Sequence, residues 1–152
     1  MGDIFWNGKK IFTVTPFDHR VNNQVLYVDI SAGPNSLRLQ GAGISDGYGL
    51  TIDNVKLIRD GDKTNIVING DFEEVNLSRR NAKIFSNING WQGDKFKIGR
   101  GTIFNFDWTT NNVVELDGRR KNTHLAQNWM FDSNYNLVQS RIFKLSLNYA
   151  CK

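Results

Sequence analysis

Gly47-Tyr48-Gly49-Leu50-Thr51-Ile52-Asp53-Asn54-Val55-Lys56-Leu57 is the stretch on which the reading of this chain turns. Leu50 and Ile52 alternate with polar neighbours, and Val55 and Leu57 resume the alternation after Asp53-Asn54. An apolar face that shifts phase at one point predicts a β-strand over Leu50 to Ile58 with a bulge at Asp53-Asn54. Arg59-Asp60-Gly61-Asp62-Lys63-Thr64 follows as a polar turn cluster and the best linker candidate. Ile66-Val67-Ile68-Asn69-Gly70-Asp71-Phe72-Glu73 then predicts a further strand.

The same style extends in both directions. Asp3 to Trp6, Asn7-Gly8, and Lys9 to Val14 predict a hairpin, because a type I′ turn needs positive φ at both central residues. Gln24 to Ile30 alternates, Ala32 to Asn35 reads as a turn, and Ser36 to Gly41 alternates with Leu37 and Leu39 on one face. Beyond residue 73, Glu74 to Asn89 reads as a long polar excursion. Strands are predicted at Gly90 to Gln92, Phe96 to Ile98, Val113 to Gly118, His124 to Met130 and Ile142 to Tyr149. Helical periodicity is almost absent. About nine to eleven short strands separated by turn residues argue an all-β, antiparallel sandwich. Its expected core includes Phe5, Val28, Leu37, Leu39, Ile52, Val55, Val67, Phe72, Val114, Leu116, Leu125, Phe143, Leu145 and Leu147.

Composition narrows the classes. The 152 residues suit one domain with one sizeable core, and 39% hydrophobic with 12% aromatic residues excludes a disordered chain. The formal charge of +4 is mild, and its dense spots, Arg79-Arg80 and Arg119-Arg120-Lys121, sit beside turns. Nucleic-acid binding would need those charges on one face with aromatics for stacking, and the sequence does not show that. Cys151 alone allows no internal disulfide. No apolar run reads as a signal peptide or a membrane span. Taken alone this says cytosolic, although a segment of a longer secreted protein would look the same. Asn76-Leu77-Ser78 is a lone glycosylation sequon.

Several pieces together resemble galactose-binding-like jelly rolls of carbohydrate-binding modules and repetitive surface proteins. They are Ile68 to Glu73, Gly90-Trp91, Val114 to Gly118, Leu125 to Gln127, Leu145 to Tyr149, Trp6 to Gly8, Gly33 to Leu37 and Tyr48 to Val55. In that family the Gly-x-Phe-Glu strand opens the domain and the Ile-Asp-Asn-Val strand closes it beside the first. The resemblance therefore implies a jelly roll with its halves in permuted order, or a window across two tandem modules. Residues 1–58 match the back half, 59–64 the linker and 65–152 the front half. It implies that the two termini lie close together, with Ile4 to Trp6 and Leu145 to Tyr149 near neighbours in one sheet. It also implies either closure within one chain or complementation between neighbouring copies.

Chemistry is sparse. His19, His124 and Cys151 form no catalytic or metal-spaced set, and Gly41 to Gly49 lacks the spacing and helix of a phosphate loop. Glu115 and Asp117 share one strand face, as a glycosidase pair would, but a solvated pair beside a glycine turn explains them as well. The chain reads as a non-enzyme. The resemblance implies a structural Ca²⁺ held by Asp53 and Glu73, with Asp71 as a further ligand, since hard oxygen donors suit calcium. Sugar binding needs an aromatic platform with hydrogen-bonding partners. Trp108, in a polar loop, with Asp107, Asn111 and Arg100 nearby, is the expected set. The partner is then a glycan; the competing reading is a filament, sheath or coat built from neighbouring copies of the module.

Overall fold

The chain begins with the hairpin that its turn chemistry demands. In a computed structural model describing residues 1–16, 20–44, 49–104, 106, 110–116, 121–133 and 141–152, β1 (Gly2–Trp6) pairs antiparallel with β2 (Lys9–Val14). Asn7 and Gly8 sit at φ 50° and 81°, both in the left-handed region a type I′ turn requires. The other strands are β3 (Asn22–Asp29), β4 (Gly33–Gly41), β5 (Leu50–Arg59), β6 (Ala82–Ile88), β7 (Trp91–Arg100), β8 (Asn112–Glu115), β9 (His124–Phe131) and β10 (Ile142–Cys151). The described residues contain no helix. The fold is all-β and antiparallel.

Hydrogen bonding orders the strands β2-β1-β4-β9-β7-β8-β5-β10-β3, with β6 paired to β7 off this path. Strand β7 makes the path turn. Its first half pairs with β9 through Gln92 and Gly93, and its second half pairs with β8 through Lys97 to Arg100. Between these halves Lys95 adopts φ 51°. The path nearly closes on itself: the Trp6 indole N–H in β1 donates to the Asp29 carbonyl at the end of β3, at 2.9 Å. The result is a sheet curled almost into a barrel around one main core. Leu37, Leu39, Leu57, Phe72, Trp91, Phe96, Ile98, Val114, Leu116 and Leu125 are fully shielded there.

Most of the expected core is buried, with Phe5 the exception. Ile4 and Trp6 point inward, so alternation turns Phe5 outward, where it is only half-buried and lies under the Arg38 guanidinium. The bulge in β5 is real: Ser146 pairs with Lys56 and Asn148 with Asp53, and Asn54 has φ 50°. Trp91-Gln92 and Phe96 to Ile98 belong to one continuous bent strand, β7, and Gly90 lies in the turn before it. The supposed excursion of residues 74–89 contains β6.

One segment departs from expectation. Ile66 to Phe72 is a run of turns rather than a strand, entered through a single bridge between Ile58 and Asn65. Its backbone is satisfied mainly by side chains. Gln127 accepts from the Ile68 N–H at 2.7 Å and donates to the Ile68 carbonyl at 2.9 Å. The Trp91 and Trp129 indoles donate to the carbonyls of Asn69 and Ile66. With those partners supplied from the sheet, the segment needs no neighbouring strand. Gly70 is required there, because a Cβ would come within 2.1 Å of the Val55 carbonyl oxygen.

The two ends of the chain flank Gly49-Leu50. Gly2 packs on Leu50, Cys151 pairs with Leu50, and the Lys152 N–H donates to the Gly49 carbonyl. The termini are therefore close, but β1 and β10 are not paired: β1 lies between β2 and β4, and β10 between β5 and β3. Both have two strand neighbours, so neither is an open edge. Residues 1–59 supply β1 to β5 and residues 65–152 supply β6 to β10, so that β5 runs one residue into the expected linker, and the two groups interleave through β4–β9, β5–β8 and β10 against β3 and β5. Arg59 to Thr64 between them is a tight turn carrying an Arg59–Asp62 ion pair at 3.0 Å.

Candidate functional site

The first half of β5 is buried on both faces. Its inner face meets the main core; on its outer side Phe104, Phe106, Val113 and Ala150 form a small second cluster. Asp53 shares the strand with Leu50, Thr51 and Ile52 and is only 2% exposed. Its Oδ1 accepts one hydrogen bond, from the Asn54 N–H at 2.7 Å. Burial pushes the Asp53 carboxyl up to about 7, against the Asn54 N–H that favours the anion; the negative charges of Glu73 and Asp71 add to the rise.

Those two carboxylates come from the turn-rich segment that replaces the expected strand. Asp71, exposed, accepts from the Glu73 N–H at 3.1 Å. Glu73 accepts from the Asn112 N–H at 2.6 Å. Partial desolvation raises the Glu73 carboxyl above its ordinary value despite that bond, and Asp71 pushes the same way while Arg100 opposes. The neighbouring backbone is bent: Asn54, Asn69 and Phe72 have φ 50°, 53° and 60°. For a buried phenylalanine that conformation costs about 1–3 kcal/mol and persists only where packing enforces it. Here Trp91 stacks on Phe72 with ring centroids 5.6 Å apart, and Asn112 donates to the carbonyls of Phe72 and Val75.

Asn112 is the residue that reading the sequence misses. It is 4% exposed and fastens the 72–75 turn to the start of β8 with three hydrogen bonds. Its local signal is no more than an amide at a strand start. Beside it, Asn111 is exposed and accepts from the Gly101 N–H. Arg100 straps two loops, donating to the carbonyls of Thr110 and Ser78. So the expected cation residues (Asp53, Asp71, Glu73) and two of the expected sugar residues (Arg100, Asn111) lie in one region. Trp108 and Asp107 lie outside the described residues.

A carboxylate oxygen suits a hard cation, and among the described residues the buried Asp53 carboxylate has one hydrogen bond, from a backbone N–H, and no ion pair. Yet among the described residues no three His, Cys, Asp or Glu side chains stand together closely enough to hold a metal ion alone. An ion there would have to recruit backbone carbonyls. A cleft of about 370 Å³ opens next to this region, lined by Asn54, Lys56, Asn65, Asn69, Asp71 and Glu74 among others.

The other acidic candidate is differently placed. Glu115, 4% exposed, faces Lys152 at 2.9 Å and Lys97 at 3.8 Å, and both ammonium groups lie over the Phe104 ring. Its supposed partner Asp117 is outside the described residues. His124 starts β9, and His19 is not described. No helix among the described residues is long and apolar enough to cross a membrane. In comparisons with protein-family models, with curated proteins and with solved structures, nothing matches the chain.

Proposed function

We propose that this chain is a non-catalytic, lectin-like β-sandwich of the jelly-roll type, in permuted order, from a surface or extracellular protein. On this reading it binds carbohydrate through the loops around β8 and carries a structural Ca²⁺ at Asp53 and Glu73, with Asp71 beside them. The observation that supports it is the gathering of Asp53, Asp71, Glu73, Arg100 and Asn111 around Asn112, four residues in sequence from Trp108. Three carboxylates beside a buried, bent backbone favour a cation, and a nearby arginine and amide favour a polyhydroxylated ligand. A glycan array tests the sugar reading: binding that falls at least tenfold on Trp108→Ala supports it, and no bound glycan in calcium-containing buffer defeats it.

A second reading, a filament, sheath or coat subunit, draws on the edge strand β3. The Ile30 N–H donates to Arg141 in the β10 direction, so alternation aims the backbone groups of Asn23, Val25 and Tyr27 at the free edge. Tyr27 is 65% exposed. An open edge with apolar side chains is a template for another chain. Light scattering over a concentration series separates the two: a monomer at all concentrations removes the assembly reading.

A further inference from the structure

The outer face of β4, β9 and β7 holds an arginine that forms no ion pair among the described residues. Leu37 and Leu39 are fully buried, so Arg38 between them points outward. Its guanidinium lies 4.1 Å from the Phe5 ring centroid, and that contact with the ring face holds the fork in place. No hydrogen bond or ion pair to the Arg38 side chain occurs among the described residues, and its Nε is shielded from solvent without a partner. The acids on this face are committed elsewhere. Asp3 accepts from Thr13 at 2.6 Å with Lys10 4.0 Å away, and Asp94 is held by Lys121 at 2.6 Å. A half-buried guanidinium that is fixed against a ring and lacks a carboxylate is complementary to a carboxylate from outside.

The neighbouring strands leave room for what would carry it. Arg38 is directly opposite Ala126 on β9, and Ala126 is opposite Gln92 on β7. The small alanine makes a floor between the two longer polar side chains. Next along, Asn128 stands opposite Ser36, with clefts of about 270 Å³ and about 420 Å³ on its two sides. A charged fork, an apolar floor and amides at the rim are the parts needed for an acidic sugar: carboxylate on the guanidinium, ring over the alanine, hydroxyls on Gln92 and Asn128. The chain's net charge of +4 favours the approach of such a polyanion.

We propose that Arg38, stacked on Phe5, anchors the carboxylate of an acidic saccharide on the outer face of β4, β9 and β7. The proposal rests on the carbohydrate-binding reading but places the acidic sugar at a second site, distant in sequence from Trp108. The experiment titrates the full chain with a galacturonic acid trimer, its methyl ester, acetate and inorganic phosphate, reading heat and amide chemical shifts. The acid should bind about tenfold or more tightly than the ester, the scale of one charge-assisted pair. Arg38→Gln should bring the acid down to the ester's affinity, and Arg38→Lys, which keeps charge but loses the fork, should recover only part. Gln92→Ala, on the exposed rim, should weaken acid and ester alike, and each variant's melting temperature confirms that it is folded. Equal binding of acid and ester, untouched by Arg38→Gln, overturns this inference and leaves the carbohydrate reading standing. Acetate and phosphate shifting the residues around Arg38 while neither trimer binds makes it a bare anion site and overturns the saccharide assignment. No binding by any of the four overturns the inference and weakens the reading beneath it.

Discussion

Asp53 and Glu115 are both carboxylates buried near the junction of β5 and β8, at 2% and 4% exposure, yet they are compensated in opposite ways. Glu115 sits between two ammonium groups, Lys152 and Lys97. Asp53 has one backbone N–H, and its neighbouring charges, Glu73 and Asp71, are negative. Burying a charge is tolerated when partners replace the lost water, and it is costly otherwise. By that measure the Glu115 side of the junction is finished as it stands. The Asp53 side is balanced only if it keeps a proton or gains a cation. The proposed calcium is the second of those two solutions.

The largest effect that could break this contrast is the pH dependence of stability. Asp53 rises from an ordinary 3.8 to about 7 on folding, so between about pH 4 and pH 7 the folded state holds a proton that the unfolded state has released. Stability is therefore full below about pH 4 and falls as pH rises through 7. Glu73, raised as well, adds in the same direction. Asp62 and Asp94, lowered by a backbone N–H and by Lys121 respectively, change protonation only below that window. In EDTA, urea unfolding should lose roughly 2–4 kcal/mol from pH 4.5 to pH 8. Asp53→Asn should flatten most of that slope and be the more stable protein at pH 8. An unchanged slope in the variant would remove Asp53 as its source.

Calcium sharpens the same contrast. Because an ion requires the ionised carboxylate, it should stabilise by about 2.7 kcal/mol at pH 8 at a hundredfold excess over Kd, and by less at pH 5. Asp53→Asn should abolish the effect. A melting temperature that does not respond to Ca²⁺ or EDTA at pH 8 would leave the proton as the only compensation.

How much of this could be read from the sequence follows from where each segment finds its partners. The Asn7-Gly8 hairpin is legible because its turn residues and both strands are adjacent, and the phase shift at Asp53-Asn54 announces the bulge. Ile66 to Phe72 has the composition of a strand and is misread as one. Its hydrogen bonds come from Gln127, 59 residues on, and from Trp91 and Trp129, and no local pattern encodes them. The joining of β7 to both β9 and β8 is hidden for the same reason, since it depends on the bend near Lys95. At the candidate site, only the family resemblance brings Asp53 toward Glu73. Nothing local marks Asn112, because its contacts are to carbonyls 37 and 40 residues away.

Asn112 is accordingly the next test. Asn112→Ala takes the side-chain donor from the Val75 carbonyl, leaves the Phe72 carbonyl with only the Val75 N–H at 3.3 Å, and loosens the turn that carries Glu73. The expected loss is about 2 kcal/mol, on the scale of buried groups left unsatisfied. It should also reduce the calcium response, while Asn111→Ala, on an exposed side chain, should change stability by less than about 0.5 kcal/mol. Equal effects of the two would deny Asn112 its role in holding the turn.

The smallest effect falls on the finished side. Lys152→Met removes the nearer of the two ammonium groups from Glu115 and keeps an apolar stem against Phe104. Lys97 remains 3.8 Å from the carboxylate and can take over part of the pairing. Because both lysines are partly exposed, the ion pair is screened by solvent, and the loss should be about 1 kcal/mol rather than the 3–5 kcal/mol typical of a fully buried pair. The loss should shrink further in high salt. The double variant Lys97→Met with Lys152→Met would strand Glu115 as Asp53 is stranded. Its stability should then fall with rising pH more steeply than that of the wild type. If the double variant is no more pH-sensitive than the wild type, charge pairing is not what distinguishes the two carboxylates.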